Sequence, residues 1–160
     1  MRKLILTFFL IGISSAIEAE PLTTIGWIEA VQIQPEGYEV MAKIDTGADN
    51  SSLDVTSWQA YSHNGSPWIR FEVSNNAGKL QKFERPLERY ARIKRKRTDP
   101  VKRPVVKMLL CVGEEQYLVS VNLAERNNFK YRMLIGRSFL KNHFLVDVSK
   151  RETQVPKCNS

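Results

Sequence analysis

The sequence predicts an all-β fold, a small sandwich or barrel, and three observations carry that expectation. Apolar and polar residues alternate with period two in several short stretches. Turn-forming residues separate those stretches at regular spacing. A helical pattern covers only one short segment near the end of the chain.

The elements follow in order. Residues 26–34 (GWIEAVQIQ) alternate, Pro35-Glu36-Gly37 is a turn, and residues 38–44 (YEVMAKI) alternate again, which makes a hairpin. Residues 54–61 (DVTSWQAY) are read as a turn of helix. Residues 67–74 (PWIRFEVS) form a strand closed by Asn75-Asn76-Ala77-Gly78. Residues 105–112 (VVKMLLCV) and 116–123 (QYLVSVNL) are two strands around Gly113-Glu114-Glu115. Met133-Leu134-Ile135 is a short apolar run ending in Gly136, residues 137–142 (RSFLKN) are helical, and residues 143–148 (HFLVDV) form the last strand. The polar tail, residues 151–160, is expected to fray.

The chain has 160 residues, 42% of them apolar and 26% charged, with a net charge of +7. These values suit one globular domain and exclude a collagen-like, mucin-like or wholly disordered chain. Met1-Arg2-Lys3, the apolar run LILTFFLIGI and the small residues Ser14, Ser15, Ala16 and Ala19 read as a secretory signal peptide over residues 1–19, with Ala16 the alternative cut. The apolar run is too short to span a bilayer, so no stable membrane insertion is expected once the signal is cleaved. Its removal leaves 22 basic against 16 acidic residues, net +6. The expected location is the periplasm, with secretion the runner-up. There Cys111 and Cys158 could pair, while the apolar run around Cys111 equally suits a buried, unpaired thiol. His63 and His143 stand far from both cysteines, so no zinc spacing exists and no cofactor is expected.

The informative segment is residues 42–53, AKIDTGADNSSL, an apolar strand running into Asp45-Thr46-Gly47. Asp-Thr-Gly alone also suits an ordinary strand-end turn. Far downstream the chain reads Met133-Leu134-Ile135-Gly136-Arg137-Ser138-Phe139-Leu140, two apolar residues and Gly-Arg leading into a helix. The two signatures, in that order, resemble the retroviral-type aspartic proteases. The match is closer to the bacterial retropepsin-like endopeptidases, often labelled ATP-dependent zinc proteases. Those share Gly26-Trp27, the run AKIDTGA from Ala42 to Ala48, Ser52-Leu53, the RPVV run at Arg103, the FKYRML run at Phe129 and the FLVD run at Phe144. Asp49 and Asn50 depart from that family's usual basic residue and Thr, and match the retroviral Asp-Thr-Gly-Ala-Asp instead.

The resemblance implies a small closed β-barrel of the acid-protease type over residues 20–150 with one short C-terminal helix. It also implies an aspartic endopeptidase activity. Hydrolysis there uses a water held between two carboxylates about 3 Å apart, of which only one can ionise. One Asp-Thr-Gly per chain then requires a homodimer, with Asp45 catalytic in each copy. Thr46, Gly47 and Ala48 would support the catalytic loop, and Asp49 and Arg137 would form a partly buried pair bracing that loop against the helix. Asp54, Asp99 and Asp147 are read as structural or solvated.

Residues 85–103 (RPLERYARIKRKRTDPVKR) are densely basic, with only Glu88 and Asp99 against them. In the acid-protease plan they occupy the place of the flap hairpin that closes over substrate. Arg92, Lys94, Arg95, Lys96 and Arg97 would supply the electrostatics for a peptide or protein substrate, acidic in character. A solvated loop is the bland alternative. A second functional class is a non-catalytic barrel of the same type that binds acidic peptides or polyanions through this segment. No nucleic-acid partner is expected.

Overall fold

The computed structural model describes residues 21–95, 98–125 and 130–158, with the side chains of 93–95 and 98–100 outside the description. Residues 1–19, read as the signal peptide, and the Lys96-Arg97 pair lie outside the described residues. The elements in order are β1 (Thr23–Gly26), β2 (Ile28–Gln34), β3 (Tyr38–Ile44), β4 (Ser51–Asp54), β5 (Ser57–His63), β6 (Ser66–Ser74), β7 (Leu80–Arg95), β8 (Thr98–Val112), β9 (Glu115–Ala124), β10 (Met133–Ile135), α1 (Arg137–Leu140) and β11 (Phe144–Asp147).

Strands β2-β3-β10-β4-β9-β8 are neighbours in that order, and β8 returns to pair with β2, so the sheet closes into a small barrel. Closure is made by Gln32, Ile33 and Gln34 opposite Cys111, Leu110 and Leu109. The alternation in β3 explains its place: Tyr38, Val40, Ala42 and Ile44 are buried while Glu39 and Lys43 face water. Val31, Ile33, Met108, Leu110, Val121 and Leu123 join them in the core. Each such side chain contributes roughly 1.5–3 kcal/mol on leaving water.

Strand β8 is long enough to serve two structures. Its second half belongs to the barrel, and its first half pairs with β7 in an extended hairpin, with Tyr90 opposite Pro104 and Arg92 opposite Lys102. Residues 85–103 are therefore ladder-paired along most of their described length, a hairpin in place of a loop. The first half of β7 turns away to pair with β6, and β6 with β5, so a three-stranded extension grows from the hairpin. Its inner face carries Ile69, Phe71, Val73 and Phe83, all buried.

Two expectations are corrected. Residues 54–61 hold no helical turn: Asp54 ends β4 and residues 57–61 lie in β5, paired with β6 from Ser57↔Glu72 onward. Partnering by an adjacent strand overrides the weak local pattern. The tail does not fray over its described part. After β11 it crosses Gly26, where an added Cβ would stand 2.5 Å from the Lys150 carbonyl oxygen. It then runs beside β2, with the Glu152 N–H on the Ile28 carbonyl (2.6 Å) and the Lys157 N–H on the Gly113 carbonyl (2.7 Å). It ends in a Cys111–Cys158 disulfide. Residues 151–158 thus form a strap over the barrel, fixed at both ends.

Candidate active site

Asp45 sits where β3 stops. Strand β10 lies parallel to β3, with Ala42, Lys43 and Ile44 opposite Met133, Leu134 and Ile135, and antiparallel to β4 on its other side. The Asp45 N–H donates to the Ile135 carbonyl at 2.8 Å, so the first residue after β3 is fixed by the last residue of β10. The chain then turns tightly. The Gly47 N–H donates to Asp45 Oδ1 (3.0 Å) and the Ala48 N–H to the Asp45 carbonyl (3.2 Å). Asp45 stays half-buried, and Thr46 and Gly47 are exposed.

The Gly136-Arg137 segment locks this loop from behind. The Arg137 and Ser138 N–H groups donate to the Ala48 and Asp49 carbonyls, each at 2.9 Å. Arg137 Nη1 donates to the Thr46 carbonyl (2.9 Å), and Nη2 contacts Asp49 Oδ1. Gly136 is required by contact: a Cβ there would lie 2.6 Å from the Asn50 carbonyl carbon and 2.7 Å from its oxygen. Its N–H reaches the buried Ser51 Oγ at 3.2 Å. Asp45, Thr46, Gly47, Ala48, Asp49 and Arg137 are therefore brought into one loop–helix junction. The Asp49–Arg137 pair, expected to be partly buried, is largely exposed in the single chain, with the Asp49 side chain 81% accessible. Among the described residues, Thr46 and Gly47 are exposed beside it.

Beside Thr46 lies a groove of about 500 Å³ lined by Arg137, Leu140, Lys141, Phe144, Leu145 and Val146. Stacked Phe139 and Phe144 floor the helix region, and Leu145 stands half exposed. At the base of the β7–β8 hairpin a hollow of about 290 Å³ is lined by Trp58, Val101, Lys102, Arg103, Leu123 and Glu125. Arg92 is exposed on β7, and Lys102 places its ammonium 3.8 Å from the centre of the Tyr90 ring. Lys94 and Arg95 lie on β7 with side chains outside the description.

Two residues of consequence were not singled out from sequence. Arg132 pairs with the buried Asp54 at 2.8 Å, and its carbonyl accepts the Asp54 N–H at 2.7 Å, which ties the approach to β10 onto β4. Glu29 is fully buried and accepts from the Gly26 N–H (2.6 Å), Thr153 Oγ1 (2.6 Å), the Thr153 N–H and the Gln154 N–H (both 3.0 Å). Its sequence signal was parity: it falls in phase with buried Val31 and Ile33. Among the described residues no three His, Cys, Asp or Glu side chains gather as a metal site.

A six-stranded barrel with an Asp-Thr-Gly loop locked by an apolar-Gly-Arg segment defines the retropepsin class. The family model described as retropepsin-like aspartic endopeptidase RimB matches residues 24–157, and the chain belongs to that family. A crystal structure of a Legionella pneumophila protein of unknown function superposes with a TM-score of 0.72 at 28% identity, covering 82% of this chain and 97% of that one. Among curated proteins, a probable alpha-L-glutamate ligase of Shewanella pealeana is 29% identical over 114 residues, 69% of this chain and 25% of the relative. One from Parasynechococcus marenigrum is 29% identical over 111 residues, 68% of this chain and 24% of the relative. The chain spans about a quarter of the length of the curated relatives it matches.

Proposed function

We propose that the chain is an exported aspartic endopeptidase that works as a homodimer and cleaves acidic peptides. The observation that carries this reading is the junction at Asp45: a half-buried carboxylate at a strand end, held by Ile135 and Gly47, with its outer side open. Asp45 and the partner subunit's Asp45 share one proton. The ionised carboxylate takes a proton from the attacking water, and the protonated one donates to the carbonyl oxygen of the peptide. Exposed Thr46 and the groove at Leu140 and Leu145 support a second copy docking across this face.

An acidic substrate is supported by the hairpin. Arg92 and Lys102 lie directly opposite each other, an arrangement that costs stability by like-charge repulsion and is relieved by an anion. The matched relatives, named as glutamate ligases, fit the same substrate chemistry. Export is supported by the character of residues 1–19 and by the Cys111–Cys158 disulfide, a bond that persists in oxidising compartments.

The test is cleavage of a peptide library by the wild type and by Asp45→Asn side by side, with mass measured in solution. Cleavage by the wild-type dimer, insensitive to chelators and lost in the variant, is the expected result. A proven monomer with concentration-independent activity, or an Asp45→Asn variant that still cleaves, refutes the reading. Binding of acidic peptides by both proteins with cleavage by neither favours the binding module, which the cationic hairpin alone would serve.

A further inference from the structure

Glu29 stands opposite Ala42, one strand over from the Asp45 strand and three positions back from Asp45 itself. Among the described residues the donors that reach this buried carboxylate are neutral, and three of them come from Thr153 and Gln154 on the strap. Trp27 joins Lys150, the residue before the strap, to the catalytic strand. Its N–H donates to the Lys150 carbonyl (2.9 Å), and its carbonyl accepts the N–H of Ile44 (2.9 Å), the residue before Asp45. At the far end the strap is held by the cystine, by Lys157 on Gly113 and by Gln34 Nε2 on the Cys158 carbonyl (3.2 Å).

We propose that residues 151–158 form a redox-released brace: the Cys111–Cys158 bond keeps the strap on Glu29 and on the Ile28 carbonyl next to Trp27, and its reduction frees the strap and loosens the strand end that carries Asp45. Without the cross-link the strap is a free chain end. Ordering it then depends on a handful of hydrogen bonds, each of modest net worth, against the entropy of eight residues. The regulatory consequence rests on the endopeptidase reading; the brace does not.

The two sulfurs are unequal. Cys111 is fully buried and Cys158 is partly exposed, so a dithiol reductant attacks Cys158 Sγ. The protein S–S bond breaks, a mixed disulfide forms on Cys158, and Cys111 leaves and takes up a proton. The reductant's second thiolate then displaces Cys158, which is protonated in turn. Two electrons and two protons pass to the protein, and the reductant leaves as a cyclic disulfide. The Gly113 carbonyl, 3.4 Å from Cys111 Sγ, is placed to accept the new S–H.

The experiment follows amide hydrogen exchange and peptide cleavage on the full chain, before and after dithiothreitol, and on Cys158→Ser without it. Reduction is expected to speed exchange on the order of a hundredfold at Glu152, Thr153 and Gln154, and about tenfold at Ile44, with β6–β9 still protected. Cleavage is expected to fall about tenfold, and Cys158→Ser to match the reduced wild type. Unchanged exchange at residues 152–154 on reduction overturns the brace, as does loss of protection throughout β6–β9. Faster strap exchange with Ile44 unchanged overturns the link to the catalytic strand. An oxidised chain that cleaves nothing refutes the endopeptidase reading, and exchange at Ile44 then decides the brace by itself.

Discussion

Glu29 and Asp45 are carboxylates on neighbouring strands, and the fold treats them in opposite ways. Glu29 is fully buried and surrounded by donors from its own chain, Gly26 on one side and the strap on the other. Asp45 accepts the Gly47 N–H and is otherwise left half open at the end of its strand. A carboxylate saturated with neutral donors is a structural acceptor. One whose backbone is rigidly placed while its oxygens stay accessible is available for chemistry. The difference is built by chain routing: the strap returns to cover Glu29 and stops short of Asp45.

Substitution at the two carboxylates breaks the comparison most sharply. In the proposed homodimer Asp45→Asn removes both roles at once, and each role is worth on the order of 10² to 10⁴ in rate, so cleavage should fall below detection. Its urea unfolding midpoint should match wild type. Glu29→Gln should act on stability first, with cleavage falling no further than it does on reduction of the disulfide. It exchanges an acceptor oxygen for an amide that points donors at donors, and should cost about 1–3 kcal/mol in urea unfolding. Equal loss of stability in both variants would falsify the division of roles.

Gly136→Ala tests whether the open loop depends on its rigid backing. The new Cβ meets the Asn50 backbone rather than a flexible side chain, so the backbone must shift, at about 1–3 kcal/mol. Cleavage should fall more than stability does, because Asp45 moves with the loop; steady-state kinetics beside a melting curve will show it.

The smallest effect is expected at Asp147, where β11 turns into the strap. Its carboxyl is pulled down to about 2, chiefly by the Ser149 hydroxyl, then by the Ser149 N–H and Lys150. A depressed carboxyl contributes stability above its ordinary pKa and loses it as the pH falls toward 2. The acid limb of the melting temperature should therefore steepen between about pH 4 and pH 2. Asp147→Asn should flatten that part of the limb, by a small amount because the group is exposed. An unchanged limb would show that the turn gains nothing from the charge.

The strength of the local pattern decided what could be read from the chain alone. Strands β2, β3, β6 and β9 alternate cleanly because one face meets the core, and their turns carry Gly, Asn or Pro; all four were legible. Strand β5 was not, because both its faces are largely exposed and its partner is the neighbouring β6. The first half of β7 was not read either; its alternation is weak, and its place is set by pairing with β6. The Asp45 loop and Arg137 were legible as motifs, since Gly136 is demanded by close contact with the Asn50 backbone and short apolar runs flank both segments. The strap was invisible. Its residues are polar because they pair with a buried carboxylate, and polarity at a chain end otherwise signals disorder.

Strand order sets a rule for the timing of assembly. Strand β10 is inserted between β3 and β4, two strands made some eighty to ninety positions earlier in the sequence. Until residues 133–135 arrive, the barrel has a gap beside Asp45, and the carbonyl that fixes the Asp45 N–H does not exist. Contacts of such long sequence separation form late in folding. A chain emerging from a ribosome therefore carries an unassembled Asp45 loop until residues 133–135 are released. A fragment ending at residue 132 should compact its β5–β9 region while showing no slowed amide exchange at Asp45. On the endopeptidase reading, strand order thus keeps a partly made chain inactive even before dimerisation is possible.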